Sequence, residues 1–405
     1  MKRWQLIAAS LAAAVVVTAA GGAAWVHALG PAPLGRHLEL SHVVLDRDGR
    51  LLRAYATKEG RWRLPAAVED VDPRFLKLLF AYEDKRFYRH AGVDPLAMGR
   101  AVFQLANQRH IVSGASTLSM QVARLLEPRE HRSFGAKLRQ MTRALQLEHA
   151  LDKKQILSLY LTLAPYGGNL EGIRAASLAY FGKEPRRLSL SEAALLVALP
   201  QSPETRRPDR YPERARAARD RVLARVVAQG AVPKDEIARA QSDLVPHGRK
   251  AMPTFAPHAG DHIVALEPDT RVHRLTIDRP LQAKLETLAR ERARALGPDI
   301  SVAILAVDNE TGEVRARVAS SDYFDARRAG QVDMTAALRS PGSTLKPFIY
   351  GLGFEDGLIH PETLIDDRPV RYGGYMPDNF ALTFQGTVTV RRALQLSLNV
   401  PASAV

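Results

Sequence analysis

The feature that most constrains this chain is the run from Leu6 to Leu29, which contains no Asp, Glu, Lys or Arg. It exceeds the ~20 apolar residues that cross a bilayer core as a helix. Lys2 and Arg3 on the short side favour a cytoplasmic N-terminus, and Trp4 and Trp25 stand where interfacial aromatics are expected. A cleaved signal peptide is the competing reading, because the Ala/Gly-rich end offers small residues for cleavage. A signal core is only about 7–15 residues long, so an uncleaved anchor is favoured, and under either reading the bulk of the protein is exported. The expected start is a cytoplasmic tail over 1–5, a transmembrane signal anchor over 6–29 and a membrane-proximal segment over 30–55.

A chain of 405 residues has room for two cores beyond such an anchor. From Leu38 to about Gly230 apolar residues recur at three- and four-residue spacing, as in "DPRFLKLLFAYEDKRFYRH" and "SLSEAALLVALPQSP". Asp72-Pro73, Ser116-Thr117 and Ser191-Glu192 read as N-caps or first-turn residues, and Gly92, Gly114, Gly167-Gly168 and Pro200 as breaks. A mainly-α domain is expected over 56–230. The stretch "AMPTFAPHAGDHIVALEPDTRVHRLTIDRP" carries no convincing helix, so 231–273 reads as a linker. Beyond it, "ISVAILAVDNETGEVRARVAS" reads as strand, tight turn at Asn309–Gly312, strand. Helix returns after "RSPGSTLKPFIYGL", giving an α+β domain over 274–405 that stops inside an apolar helix and is expected to be partial.

Composition narrows the partners. The formal charge of +14 suggests an anionic partner: nucleic acid, phospholipid headgroups or a phosphorylated substrate. Nucleic acid conflicts with export and with an aromatic content of 6%, too sparse for base stacking. The absence of cysteine excludes disulfides and thiolate zinc sites.

Four constellations could carry chemistry. In "AYEDKRFYRHAGVDP", Glu83, Phe87 and His90 would share one helix face with Asp84 about a quarter-turn away. A carboxylate set among aromatic rings is partly desolvated, the environment of a general base; a solvated, ion-paired helix face is the plain alternative. In "SGASTLSMQVARLL" a glycine turn opens a helix whose free N–H groups and hydroxyls could meet a phosphate or sugar, or Ser116 and Thr117 simply cap it. In "KLRQMTRALQLE", Lys137, Arg139 and Arg143 supply the charge a pyrophosphate leaving group needs, or form a solvated basic face. In "SPGSTLKP", one helical turn brings Lys346 beside Ser343, so a lysine of depressed pKa can take the serine proton for acyl transfer. Ser397-Leu398-Asn399 adds an S-x-N motif further on.

In order and spacing these stretches resemble the class A, bifunctional penicillin-binding proteins, closest to the 1C type. "EDKRFYRHAGVD", "GASTLSMQVARLL", "KLRQMTRALQLE", "YGGNLEGIRAASLAYFGK" and "LSLSEAALLVALPQSP" match the five motifs of the peptidoglycan glycosyltransferase domain. "RSPGSTLKPFIYGL" and "SLN" match the first two of the penicillin-binding transpeptidase domain. The resemblance covers nearly the whole chain. It implies a multidomain protein: an N-terminal transmembrane helix, a mainly-α, lysozyme-like glycosyltransferase domain and a truncated α+β transpeptidase domain of the serine β-lactamase-like kind. Its activity would be polymerisation of lipid II with inversion at the MurNAc anomeric carbon and release of undecaprenyl pyrophosphate. Glu83 would be the general base. Asp84, Ser116, Thr117, Gln121, Arg124, Lys137 and Gln140 would bind substrate, with Lys137 facing the pyrophosphate. Ser343 would be the acyl nucleophile, Lys346 its base, and Ser397 and Asn399 the second transpeptidase motif. Phe103 to Val112 would be a mobile segment touching the membrane.

The implied location is the inner (plasma) membrane, single-pass, with periplasmic catalytic domains. The implied partners are lipid II, nascent glycan strands, the membrane and other cell-wall synthases, with β-lactams at Ser343 where the full-length domain is present. No metal ligand set or certain cofactor is implied, although the family's third motif usually carries a second glutamate that could hold a divalent cation (Mg or Mn). Gln140 stands there, and an amide neither ligands a cation as strongly nor transfers a proton. Met120 and Ala115 depart from the commoner Gln and Gly of the second motif. The family's K-T-G or K-S-G strand has no counterpart, since Thr311-Gly312 follows Glu310; the chain as written is expected not to transpeptidate efficiently. A non-catalytic, membrane-anchored cell-wall assembly scaffold is the alternative function, favoured by Gln140 and opposed by Glu83.

Overall fold

The computed structural model describes residues 13, 17–18, 20–108, 116–128, 133–228 and 232–405. They form two compact units, Met1–Thr335 and Ala336–Val405.

The larger unit is built on helices. Helix α1 (Pro73–Glu83) starts where Asp72 accepts from the Arg74 amide and Pro73 fills the first turn, and it buries Phe75, Leu78 and Leu79. Helices α2 (Pro95–Gln108), α3 (Leu118–Leu126), α4 (Phe134–Ala150) and α5 (Lys153–Leu163) follow, then α6 (Ile173–Phe181), α7 (Leu190–Ala198), α8 (Pro212–Val227) and α9 (Lys234–Ser242). Thr117 caps α3, and Ser189 caps α7 in a capping box with Glu192. Helix α7 is buried along almost its whole length because α1 and α8 cover it.

Two features here differ from the sequence reading. The stretch at 251–280 contains a helix, α10 (Pro257–Leu266), which buries His258, Ala259 and Gly260. It packs closely on the first sheet: a Cβ on Gly260 would sit 2.8 Å from the Tyr55 hydroxyl, so a larger residue there would require the ring to shift. The same region also supplies a strand. β1 (Val43–Leu45) pairs antiparallel with β2 (Leu51–Ala54) and parallel with Val272–Arg274, so the expected membrane-proximal segment and the expected linker share one sheet. Helix α11 (Arg279–Leu296) then packs on an antiparallel hairpin of Ile304–Val307 with Val314–Val318, and Gly312 at φ 70 closes its turn as the Asn309–Gly312 signal requires.

No helix among the described residues is long and apolar enough to cross a membrane. Of the span expected over 6–29, positions 6–12, 14–16 and 19 lie outside the described residues, as do positions 109–112 of the Phe103–Val112 segment. Residues 20–29 are helical. This helix is tied to α4: Trp25 Nε1 donates to Thr142 Oγ1 at 3.1 Å, and Arg143 donates to the Leu29, Gly30 and Pro31 carbonyls at 2.8–3.0 Å.

The smaller unit combines α12 (Lys346–Glu355), an antiparallel pair of Leu364–Asp367 with Gly386–Thr389, and helices α13 (Val390–Gln395) and α14 (Asn399–Ala404). Its core is Tyr350, Val390, Ala393, Leu398 and Ala402.

Candidate active site

Glu83 is the last residue of α1, and the helix stops there for a non-local reason. Asp84 leaves helical geometry at φ −154 and ψ 80. Its buried carboxylate accepts the Leu118 amide at 2.9 Å and the Nε2–H of His90 at 3.0 Å. The Gly92 amide donates to His90 Nδ1 at 3.1 Å, which fixes that tautomer. Glu83, Phe87 and His90 therefore do not share a helix face: a turn follows Asp84, and Phe87 lies in a short 3-10 segment. Phe80, Phe87 and Tyr88 pack as three mutually contacting rings, with centroids 5.0–5.6 Å apart. This accounts for the alternation of aromatic and charged residues.

The turn leaves the Glu83 carboxylate half-buried at a cleft of about 800 Å³. Both of its oxygens are engaged: Gln121 Nε2 donates to Oε2 at 3.0 Å, and Gln201 Nε2 donates to Oε1 at 2.6 Å. Arg206 orients Gln201 by donating to its Oε1 at 3.1 Å. A carboxylate held by two side-chain amides is fixed in direction and accepts without being neutralised by a cation.

The rest of the cleft is cationic. Lys137 Nζ donates to Ser116 Oγ at 2.6 Å and to Gln140 Oε1 at 3.2 Å. Burial, and then the neighbouring Arg124, lower its pKa from the usual lysine range. Gln140 Nε2 donates to the Met120 carbonyl at 2.6 Å. Glu127 also lines the cleft, but Arg143 and Arg139 hold it at 2.7 and 3.1 Å. Burial raises its pKa and the two arginines outweigh that, so it sits below the ordinary glutamate value. The side chains around Gln140 do not fit a divalent cation: Lys137 occupies its amide oxygen, and the nearby carboxylate is committed to arginines. Among the described residues no cluster of three or more His, Asp or Glu could hold a metal.

The structure thus brings Glu83, Ser116, Gln121, Arg124, Lys137 and Gln140 to one cleft. Asp84 and Thr117 stand behind it. Thr117 is buried, donates to the Gly92 carbonyl at 2.5 Å and accepts the Met120 amide at 3.1 Å. Together they clamp the "EDKRFYRHAG" turn to the start of α3. Gln201, which contacts Glu83, and Arg206, which contacts Gln201, were not singled out from the sequence; the signal for Gln201 was its place in "LPQSP", at the break after α7.

A second constellation lies in the smaller unit. Lys346 Nζ is 3.0 Å from Ser343 Oγ, 3.2 Å from Ser397 Oγ, 2.6 Å from Asn399 Oδ1 and 2.5 Å from the Ser397 carbonyl. Burial lowers the pKa of this lysine. Ser397 adopts φ 51, a left-handed conformation that turns its carbonyl and hydroxyl together onto the amine. All four residues expected at the acyl-serine site converge.

Comparison with known proteins matches the same two regions. The Transglycosylase family matches residues 48–227, and the penicillin binding protein transpeptidase domain matches 302–405. The chain is 45% identical over 384 residues to Penicillin-binding protein 1C of Escherichia coli (strain K12), covering 95% of this chain and 50% of that protein. It is 30% identical over 382 residues to Penicillin-binding protein 1F of Bacillus subtilis (strain 168), covering 90% and 52% respectively. The chain spans about half the length of these relatives.

Proposed function

We propose that this chain, which belongs to the class A penicillin-binding proteins, polymerises lipid II into peptidoglycan glycan strands at the Glu83 cleft. Glu83 takes the proton of the acceptor GlcNAc 4-hydroxyl as that oxygen bonds to the MurNAc anomeric carbon of the growing chain. The bond from that carbon to the pyrophosphate oxygen breaks on the opposite face, so configuration inverts and undecaprenyl pyrophosphate leaves. Gln121 and Gln201 aim the carboxylate, while Lys137 and Arg124 supply positive charge for the departing pyrophosphate. Membrane anchoring through the N-terminal segment, with periplasmic catalytic units, suits a substrate that never leaves the bilayer.

The observation that carries this reading is a single carboxylate oriented through both oxygens by amides, in a cleft lined by Lys137, Arg124, Arg139 and Arg143, of which the last two are paired with Glu127. Polymerisation of labelled lipid II by wild type and by Glu83→Gln tests it. Turnover by wild type, abolished in the variant, is the expected result. Binding of lipid II without turnover by either protein would establish the scaffold reading in its place. Ser343, with Lys346 as base, is the proposed acyl nucleophile of the smaller unit. Labelling of Ser343 by a fluorescent penicillin, lost in Ser343→Ala, tests that role.

A further inference from the structure

A second group of cations adjoins the cleft, and the mechanism above makes no use of its charge. Arg206 donates to the Ala198 carbonyl at 2.8 Å as well as to Gln201, which binds Glu83. Arg225 on α8 stacks over the ring of Tyr82, with its guanidinium carbon 5.0 Å from the centroid. Arg214, Arg221 and Arg225 recur at i, i+7 and i+11, which places them on one face of α8, and all three are exposed. Tyr82, Arg221 and Glu83 all act electrostatically on Arg206, so the stripe begins at the cleft itself.

Arg214 stacks over the Tyr211 ring at 5.1 Å, as Arg225 does over Tyr82, but these rings carry no counter-charge. Arg207 pairs with Asp209 at 2.6 Å and Arg219 with Asp220 at 2.9 Å. Among the described residues, no carboxylate forms an ion pair with Arg206, Arg214, Arg221 or Arg225. A row of like charges beside a half-buried site repels itself unless an anion arrives. Planar guanidinium groups suit carboxylates in particular, through paired hydrogen bonds.

We propose that the stripe from Arg206 through Arg225, Arg221 and Arg214 is a track for the carboxylate-bearing peptide stems of the glycan strand made at Glu83. This rests on the glycosyltransferase reading. A strand extended at Glu83 carries a stem on every MurNAc, and each stem ends in a free carboxylate. The stripe touches the cleft through Gln201 and Tyr82. The helix leading from the expected anchor meets α4 instead, through Trp25 and Arg143. What favours the strand over anionic headgroups is that the stripe starts at Gln201, which holds the carboxylate where the strand is proposed to be made.

The test compares binding of the full chain to uncrosslinked glycan strands that carry stems and to the same strands stripped of stems by an amidase. Stemmed strands are expected to bind about tenfold more tightly, an advantage that fades as salt rises. Arg214→Glu combined with Arg221→Glu is expected to remove that advantage and shorten the polymer, while leaving the initial rate of lipid II consumption unchanged. The neutral pair Arg214→Gln and Arg221→Gln should fall between. Equal binding of the two strand types by wild type overturns the proposal without relying on any variant. So do unchanged stem dependence in the charge-reversed protein, and a defect confined to anionic vesicles. A protein that polymerises lipid II yet ignores stems sinks the track and keeps the glycosyltransferase; one that prefers stems but never polymerises does the reverse.

Discussion

The two bases of this molecule are prepared in opposite ways. Glu83, the proposed base of the larger unit, is half-exposed, and neutral amides, not cations, hold both its oxygens. Lys346, the proposed base of the smaller unit, is buried beside a hydroxyl pair, an amide oxygen and a carbonyl, and burial lowers its pKa. Burial disfavours the charged form, so partial burial strengthens a carboxylate as a proton acceptor while full burial would leave it protonated; for an amine, burial favours the neutral form that can accept a proton. The Glu83 site is assembled from α1, α3, α4 and the segment after α7, whereas Ser343 and Lys346 are one turn apart on a small core.

The sharpest way to break this comparison is Glu83→Gln. A neutral amide keeps the shape and removes the proton acceptor, so polymerisation should fall by about 10²–10⁴-fold, read as glycan product from labelled lipid II. Undiminished synthesis would remove Glu83 from the reaction.

For Lys346 the expected signature is in pH. A lysine of lowered pKa is charged and inactive at low pH and becomes a base as pH rises through that pKa. Acylation of Ser343 by a penicillin should therefore climb on a limb centred below the ordinary lysine value of about 10.4, and Lys346→Ala should abolish the limb along with the labelling. A flat profile would mean that something other than this amine takes the serine proton.

Asp84 and Gln201 test the scaffolding of the first site. Asp84→Asn deprives the Leu118 amide and His90 of a charged acceptor, which should cost about 1.5–3 kcal/mol in denaturant-unfolding stability. Gln201→Ala should leave stability nearly intact and lower kcat about tenfold, because Glu83 loses one of its two guides. If the two variants behave alike, the distinction between a residue that clamps the turn and one that aims the base is wrong.

The same distinction governs how much was legible beforehand. The helices around 73–198 carry apolar spacing and capping residues, so they could be read locally, as could the hairpin at Asn309–Gly312. The convergence of Ser343, Lys346, Ser397 and Asn399 followed from two short motifs. Helix α10 was missed because its buried residues, His258, Ala259 and Gly260, carry no strong apolar periodicity, and the Val272–Arg274 strand because its partner is β1, far away in sequence. The end of α1 at Glu83 was missed for a similar reason: the capture of Asp84 by Leu118 is a tertiary event. Gln201 lies in the "LPQSP" stretch, but which residue of it meets Glu83, and that Arg206 holds it, is set only by what these side chains face.

The smallest effect is expected at Gln140, where a glutamate would restore the commoner side chain of the third motif. Gln140→Glu places a carboxylate beside Lys137, an attraction that pulls the lysine pKa back up and strengthens their pairing. It also removes the amide hydrogen that meets the Met120 carbonyl at 2.6 Å and sets two oxygens against each other there. These effects oppose one another, so lipid II turnover should change by only a few-fold, with about 1 kcal/mol lost in stability. A variant that becomes strongly dependent on Mg or Mn would show that position 140 decides whether the cleft recruits a cation. One that remains metal-independent would assign the neutralisation of pyrophosphate to Lys137 and Arg124, and leave Glu83 as the sole carboxylate that the reaction requires.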